Sequence, residues 1–157
     1  MSVNVGTAAD GLTSASRAGR MRGLRRATLA ALVILLIQYG FGMYTNLYAT
    51  VPAADHGHGL GAVISHGPAA LSVHAVLGML LILAAVGLVV QAALARSWVV
   101  LVPAAVALAA IIGAFAQGVS FASGGHAAAS MAMAALAGVA VLCYAIALYL
   151  LPAPARS

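Results

Sequence analysis

Residues 70–94 read ALSVHAVLGMLLILAAVGLVVQAAL. The run holds no Asp, Glu, Lys or Arg. At 1.5 Å per helical residue, the stretch from His74 to Leu94 alone covers about 30 Å, the thickness of a bilayer's hydrocarbon core. In lipid a segment must satisfy its own backbone hydrogen bonds, so the run is read as a transmembrane helix. Three more runs read the same way, about 27–48, 99–121 and 126–151. The fold class predicted is all-α: an integral membrane four-helix bundle.

Composition agrees. Of 157 residues, 64% are hydrophobic and 6% charged, against about 25% charged in soluble chains. Lys and Glu are absent, and the only acids are Asp10 and Asp55. The formal charge is +5, which could suggest nucleic acid, but its placement speaks for a lipid bilayer. Arg17, Arg20, Arg22, Arg25 and Arg26 all precede the first apolar run, and Arg96 and Arg156 follow the second and fourth. Positive residues stay on the cytoplasmic side. The sequence therefore predicts a multi-pass protein of the cell membrane with both termini cytoplasmic. Tyr44, Tyr48 and Phe121 then mark the outer interface, and Trp98 and Tyr149 the inner one.

This division gives a cytoplasmic tail 1–26, disordered at its start, a membrane domain 27–151 with an outer loop 49–69, and a short tail 152–157. The apolar core of the first span is longer than that of a cleaved signal peptide, so an uncleaved anchor is expected. Pro103 is placed at the start of the third span, where a missing N–H is harmless. The lone Cys143 reads as a small buried hydrophobe.

Two helix pairs resemble each other. Residues 37–49 (IQYGFGMYTNLYA) align with 110–122 (AIIGAFAQGVSFA), Gly40 on Gly113 and Tyr48 on Phe121. The opening His74-Ala-Val-Leu-Gly78-Met79 aligns with His126-Ala-Ala-Ala-Ser130-Met131. Chance likeness among Ala- and Gly-rich helices is the alternative reading.

The sequence holds five histidines, His56, His58, His66, His74 and His126. All fall at or beyond the outer ends of the spans. Two imidazoles at one depth on two helices of a small bundle suit the axial ligation of a b-type haem. Gly78 and Ser130, four residues on, lie one turn further in on the same faces. Both are small, as a flat tetrapyrrole between helices requires. Met79 and Met131 either pack nearby or fill the core. Equally open is that His74 and His126 are interfacial residues at helix starts. In the loop, Asp55-His56-Gly57-His58, with His66 as a third ligand, has the chemistry to bind copper or zinc. A solvated polar loop is the plainer reading. Thr45, Asn46, Gln117 and Ser120 suggest a polar pocket in the outer half.

These motifs resemble one half of the haem A synthase family. The resemblance lies in Gln38-Tyr-Gly-Phe-Gly42, in Val73-His74-Ala-Val-Leu-Gly78, in Ile112-Gly113-Ala114 and in His126, and it covers roughly residues 30–150. It implies a four-helix scaffold with outward histidines and a b-type haem. The family's catalytic half carries a Glu three residues before the histidine of its second helix; here that position is Leu71. An outer cysteine pair and an outer Arg are absent as well. The resemblance therefore implies haem binding rather than methyl hydroxylation. No nucleophile–base pair occurs, so the chain reads as electron-transfer or haem-handling protein rather than as an enzyme. A quinol or respiratory-chain component is the candidate partner and a homo-oligomer the candidate assembly; no motif specifies either. The alternative function is a small structural or assembly subunit of a membrane complex, binding copper or zinc through the loop histidines.

Overall fold

The computed structural model describes residues 5–48, 61, 68–124 and 127–151, with side chains from residue 16 onward in the first segment and up to 122 in the third. Four helices follow in order: α1 (Val5–Tyr48), α2 (Ala69–Leu94), α3 (Trp98–Gly124) and α4 (Ala127–Leu150). Each is long and apolar enough to cross a membrane, and the chain is a multi-pass membrane protein. The helices close a ring in which α1 packs on α2, α2 on α3, α3 on α4 and α4 on α1.

The helix ends match the runs read from the sequence to within three residues, except at the N-terminus. There α1 begins at Val5, so the described part of the tail is helical; its first residues, where disorder is expected, lie outside the described residues. Extending a helix that is already nucleated costs little, and Ala and Arg are good helix formers. At 44 residues α1 measures about 66 Å, roughly twice the hydrocarbon thickness. Arg25 Nη1 donates to the carbonyl of Leu151, just past the end of α4, at 3.1 Å. The part of α1 before Met21, which still packs against the core, therefore runs beyond the bundle.

The core fills the half of the bundle at this Arg25 end. Ala85, Ala92, Ala104, Ala107, Ala140 and Ala147 are fully buried there with Leu88, Val100 and Tyr144. The large apolar side chains face outward instead, Leu83 at 67% exposure and Leu142 at 60%. Lipid solvates them well, so small residues go to the contacts, where backbones approach closely.

The two helix pairs repeat in burial only in part, since with Gly40 set on Gly113 the exposed Ile34 and Ile37 fall on the buried Ala107 and Ala110. With Gly40 set on Gly113, Ala31 falls on Ala104 and Gln38 on Ile111, and all four are buried. With His74 set on His126, Leu88 falls on Ala140 and Ala92 on Tyr144, again all buried.

The α2–α3 turn is a Schellman motif. Ser97 N–H donates to the Ala92 carbonyl at 3.0 Å and Arg96 N–H to that of Ala93 at 2.9 Å. Arg96 takes the left-handed position at φ 50°. Pro103 lies inside α3, not at its first turn. The Val99 carbonyl thus lacks the N–H that an ordinary residue at 103 donates to it.

Candidate functional site

At the other end, that of Tyr48, Ala69 and Ala127, the four helices part around a cavity of about 140 Å³. The small–small contacts of the core give way here to larger groups set against glycine. α1 supplies Gln38, Gly42, Thr45 and Asn46 to the walls; α2 supplies Leu71, His74 and Gly78. α3 adds Phe115, Gly118 and Phe121, and α4 adds Ser130 and Met133.

His74 stands in the second turn of α2, and its ring lies against α1. A Cβ built on Gly42 would stand 2.9 Å from the His74 Cε1. Only glycine at that place lets the imidazole seat on the α1 backbone. Of the two ring nitrogens, Nδ1 is enclosed and has no hydrogen-bond partner among the described residues.

Gln38 approaches the same turn of α2. Its Nε2 donates to the main-chain carbonyl of His74 at 2.6 Å. Gly78 makes the approach possible, since a Cβ there would meet Gln38 Nε2 at 3.3 Å and Phe115 Cδ2 at 3.5 Å. The space that Gly78 leaves open is thus used by an amide from α1 and a ring from α3. On α3, Gly118 receives Met133, whose sulfur lies 3.2 Å from the Cβ position.

Ser130 Oγ donates to Asn46 Oδ1 at 2.9 Å and ties α4 to α1 across the cavity. Thr45 Oγ1 donates back to the Gly42 carbonyl at 2.9 Å. These bonds spend the polar groups expected to make a polar pocket. Gln117 and Ser120 do not line the cavity, so its walls are mainly apolar and the expectation is corrected.

Of the candidate ligand residues, His74, Gly78 and Ser130 come together in one cavity wall system. His56, His58, His66 and His126 lie outside the described residues, as does Asp55. His126 directly precedes Ala127, the first residue of α4. Met79 and Met131 neither line the cavity nor fill the core: they face outward at 46% and 78% exposure. Phe121 turns into the cavity, whereas Tyr44 and Tyr48 stay exposed and pack in a tilted pair at 5.1 Å between ring centroids. Trp98 and Tyr149 are exposed at the opposite end, as an aromatic belt requires. No group of three or more His, Cys, Asp or Glu capable of holding a metal occurs among the described residues.

Sequence reasoning missed Gln38 and Phe115 as site residues. The available signal for Gln38 was an amide four residues before Gly42 in an otherwise apolar run. Comparison of the chain with protein-family models, with curated proteins and with solved structures gives no match.

Proposed function

We propose that the chain is a membrane protein that carries a b-type haem in this cavity, with His74 as one axial ligand and His126 as the other. The observation that carries the reading is the His74 imidazole, set in the mainly apolar wall of the cavity, with an enclosed nitrogen that has no hydrogen-bond partner among the described residues. Unpaired buried polar atoms are uncommon in native proteins and call for an explanation such as an absent ligand.

The residues fit such a group in two further respects. The walls are mainly apolar and come from all four helices, as a porphyrin faces require. Ser130, one turn beyond the first residues of α4, lines the same cavity, so α4 opens beside it. Phe115 is the obstacle: its ring stands over Gly78 and must turn aside for a macrocycle.

When bound, a haem would supply one-electron transfer, and His74 and His126 are the residues that would hold it. His74 sets the depth of the site within the bilayer. The apolar walls exclude water, and Gly42 and Gly78 hold the imbedded imidazole and its neighbour in place. No carboxylate is among the described residues that line the cavity.

The arginines support an orientation as well. All the described ones lie toward the Arg25 end, which is assigned to the cytoplasm, so the cavity opens in the outward half. A lipid-soluble quinol is the donor class that can reach it.

The test is an absorption spectrum of the purified protein after haem supplementation, oxidised and dithionite-reduced. A Soret band with a sharp reduced α-band is expected, weakened or lost in His74→Ala and His126→Ala. A wild-type protein that stays colourless overturns the reading.

A further inference from the structure

Where α1 enters the bundle it carries two exposed arginines one turn apart, Arg22 and Arg26. Side chains four residues apart lie on one helix face, with about 5–6 Å between their Cβ atoms. Leu24 and Thr28, each two residues on from an arginine, are buried in the bundle. At about 100° per residue they lie about 200° round the helix from it, so the arginine face looks away from the bundle. The same face continues into the membrane. Leu29, Val33 and Leu36 follow Arg26 at steps of three and four residues, and all three are exposed. From Arg26 to Leu36 the stripe measures about 15 Å, the hydrocarbon depth of one leaflet.

The height of the two arginines is fixed by their neighbour. Arg25 Nη1 donates to the Leu151 carbonyl, just past the end of α4. Arg22 and Arg26 therefore stand within about 5 Å of the level where the bundle ends. Trp98 and Tyr149, exposed at this end, mark that level as the membrane interface. A guanidinium facing outward there meets lipid headgroups. The described side chains include no Asp or Glu, so none of them offsets the repulsion of two like charges one turn apart. A phosphate does, because the planar guanidinium forks match its oxygens.

We infer that Arg22 and Arg26 together bind the phosphate of an anionic phospholipid, whose acyl chains lie along Leu29, Val33 and Leu36. A zwitterionic headgroup brings its own cation, which the two arginines repel, so the anionic lipid is selected. By the orientation drawn above it belongs to the cytoplasmic leaflet. The site itself depends neither on that orientation nor on what fills the cavity. Arg17 and Arg20 supply an internal control. They are exposed as well, but they lie seven and four residues before Leu24, on the opposite face of α1.

The test is native mass spectrometry of the intact chain, purified in detergent, stripped of lipid and titrated with dioleoyl phosphatidylglycerol or dioleoyl phosphatidylcholine. An arginine beside anionic lipid is worth about fivefold in affinity, so the wild type is expected to prefer phosphatidylglycerol about 25-fold. Arg22→Gln with Arg26→Gln is expected to abolish the preference. Arg17→Gln with Arg20→Gln removes the same charge and is expected to keep most of it. Glutamine is a good helix former, and circular dichroism checks that both variants stay helical. A wild type without preference, or a preference that survives the loss of Arg22 and Arg26, overturns the inference. Equal losses in the two variants overturn it too, because they mean a diffuse field and not a site. So does displacement of the lipid by millimolar glycerol phosphate, since the apolar stripe then adds nothing. If the Arg22 and Arg26 variant loses its helix, the wild type and the Arg17 and Arg20 variant still decide the matter.

Discussion

Gly42 illustrates how a residue without a side chain defines one that has chemistry. The imidazole of His74 occupies the volume that a methyl group would claim, and the nearest ring atom stands 2.9 Å from it. In Gly42→Ala the ring is the group that gives way, since it ends a side chain and the α1 backbone does not move as cheaply. Alanine in mid-helix recovers about 0.5–1 kcal/mol relative to glycine. That gain offsets part of the cost of displacing the ring. On the haem reading proposed above, the expected outcome is a thermal midpoint in detergent close to wild type, together with haem affinity about tenfold weaker, the scale on which lost support of a metal ligand is felt. Haem titration beside thermal unfolding checks it. A folded variant that binds haem as the wild type does would show that the seat on Gly42 is unimportant to the site.

Among the elements, the α2–α3 connection is the sharpest local structure outside the cavity. Its left-handed position is held by Arg96 at φ 50°, where glycine is the usual residue and an L side chain costs about 1–2 kcal/mol. A cation near the last carbonyls of α2 returns roughly 0.3–1 kcal/mol. Arg96→Gly is therefore expected to unfold at a slightly higher temperature than wild type, and Arg96→Ala at a lower one, since alanine keeps the strain and loses the charge. A lower midpoint for both variants would mean that the guanidinium matters more than the backbone. The elements themselves were legible in the sequence, because about 20 residues without a charge have no stable alternative to a membrane helix. What was not legible is how each helix is rotated. In water an apolar stripe tells which face turns inward. Here Leu83 points out and Ala85 in, both apolar, so hydropathy is silent on the rotation that brings Gln38 to His74. The i+4 spacing puts Gly78 on the His74 face, and both line the cavity, but its neighbours Gln38 and Phe115 come from helices whose rotation only the structure supplies. The N-terminal extension of α1 from Val5 was not anticipated, because Ser and Gly residues carry no helical signal of their own while the helix continues through them.

At the scale of the whole molecule the two ends differ in kind. One is packed with alanine and flanked by every described arginine; the other is hollow, lined by His74 and Gln38. The arginine-bearing end stays with the cytoplasm if positive charge governs insertion, because guanidinium groups cross the bilayer at a large cost. Single cysteines placed at the two ends test the assignment directly. In a Cys143→Ala background, Gly61→Cys is expected to react with a membrane-impermeant maleimide on intact cells. Ser97→Cys, next to Arg96 in the α2–α3 turn, is expected to react only after the membrane is opened. The reverse pattern would place the cavity toward the cytoplasm. Its donors would then be the soluble and quinol-linked reductants of that side, and the outward electron transfer proposed here would be lost even if haem were bound. The pattern as expected leaves His74 within reach of groups outside the cell and of quinol in the outer leaflet. The geometry of the cavity is the same in both cases, so the labelling result decides which side of the membrane the site serves, independently of what occupies it.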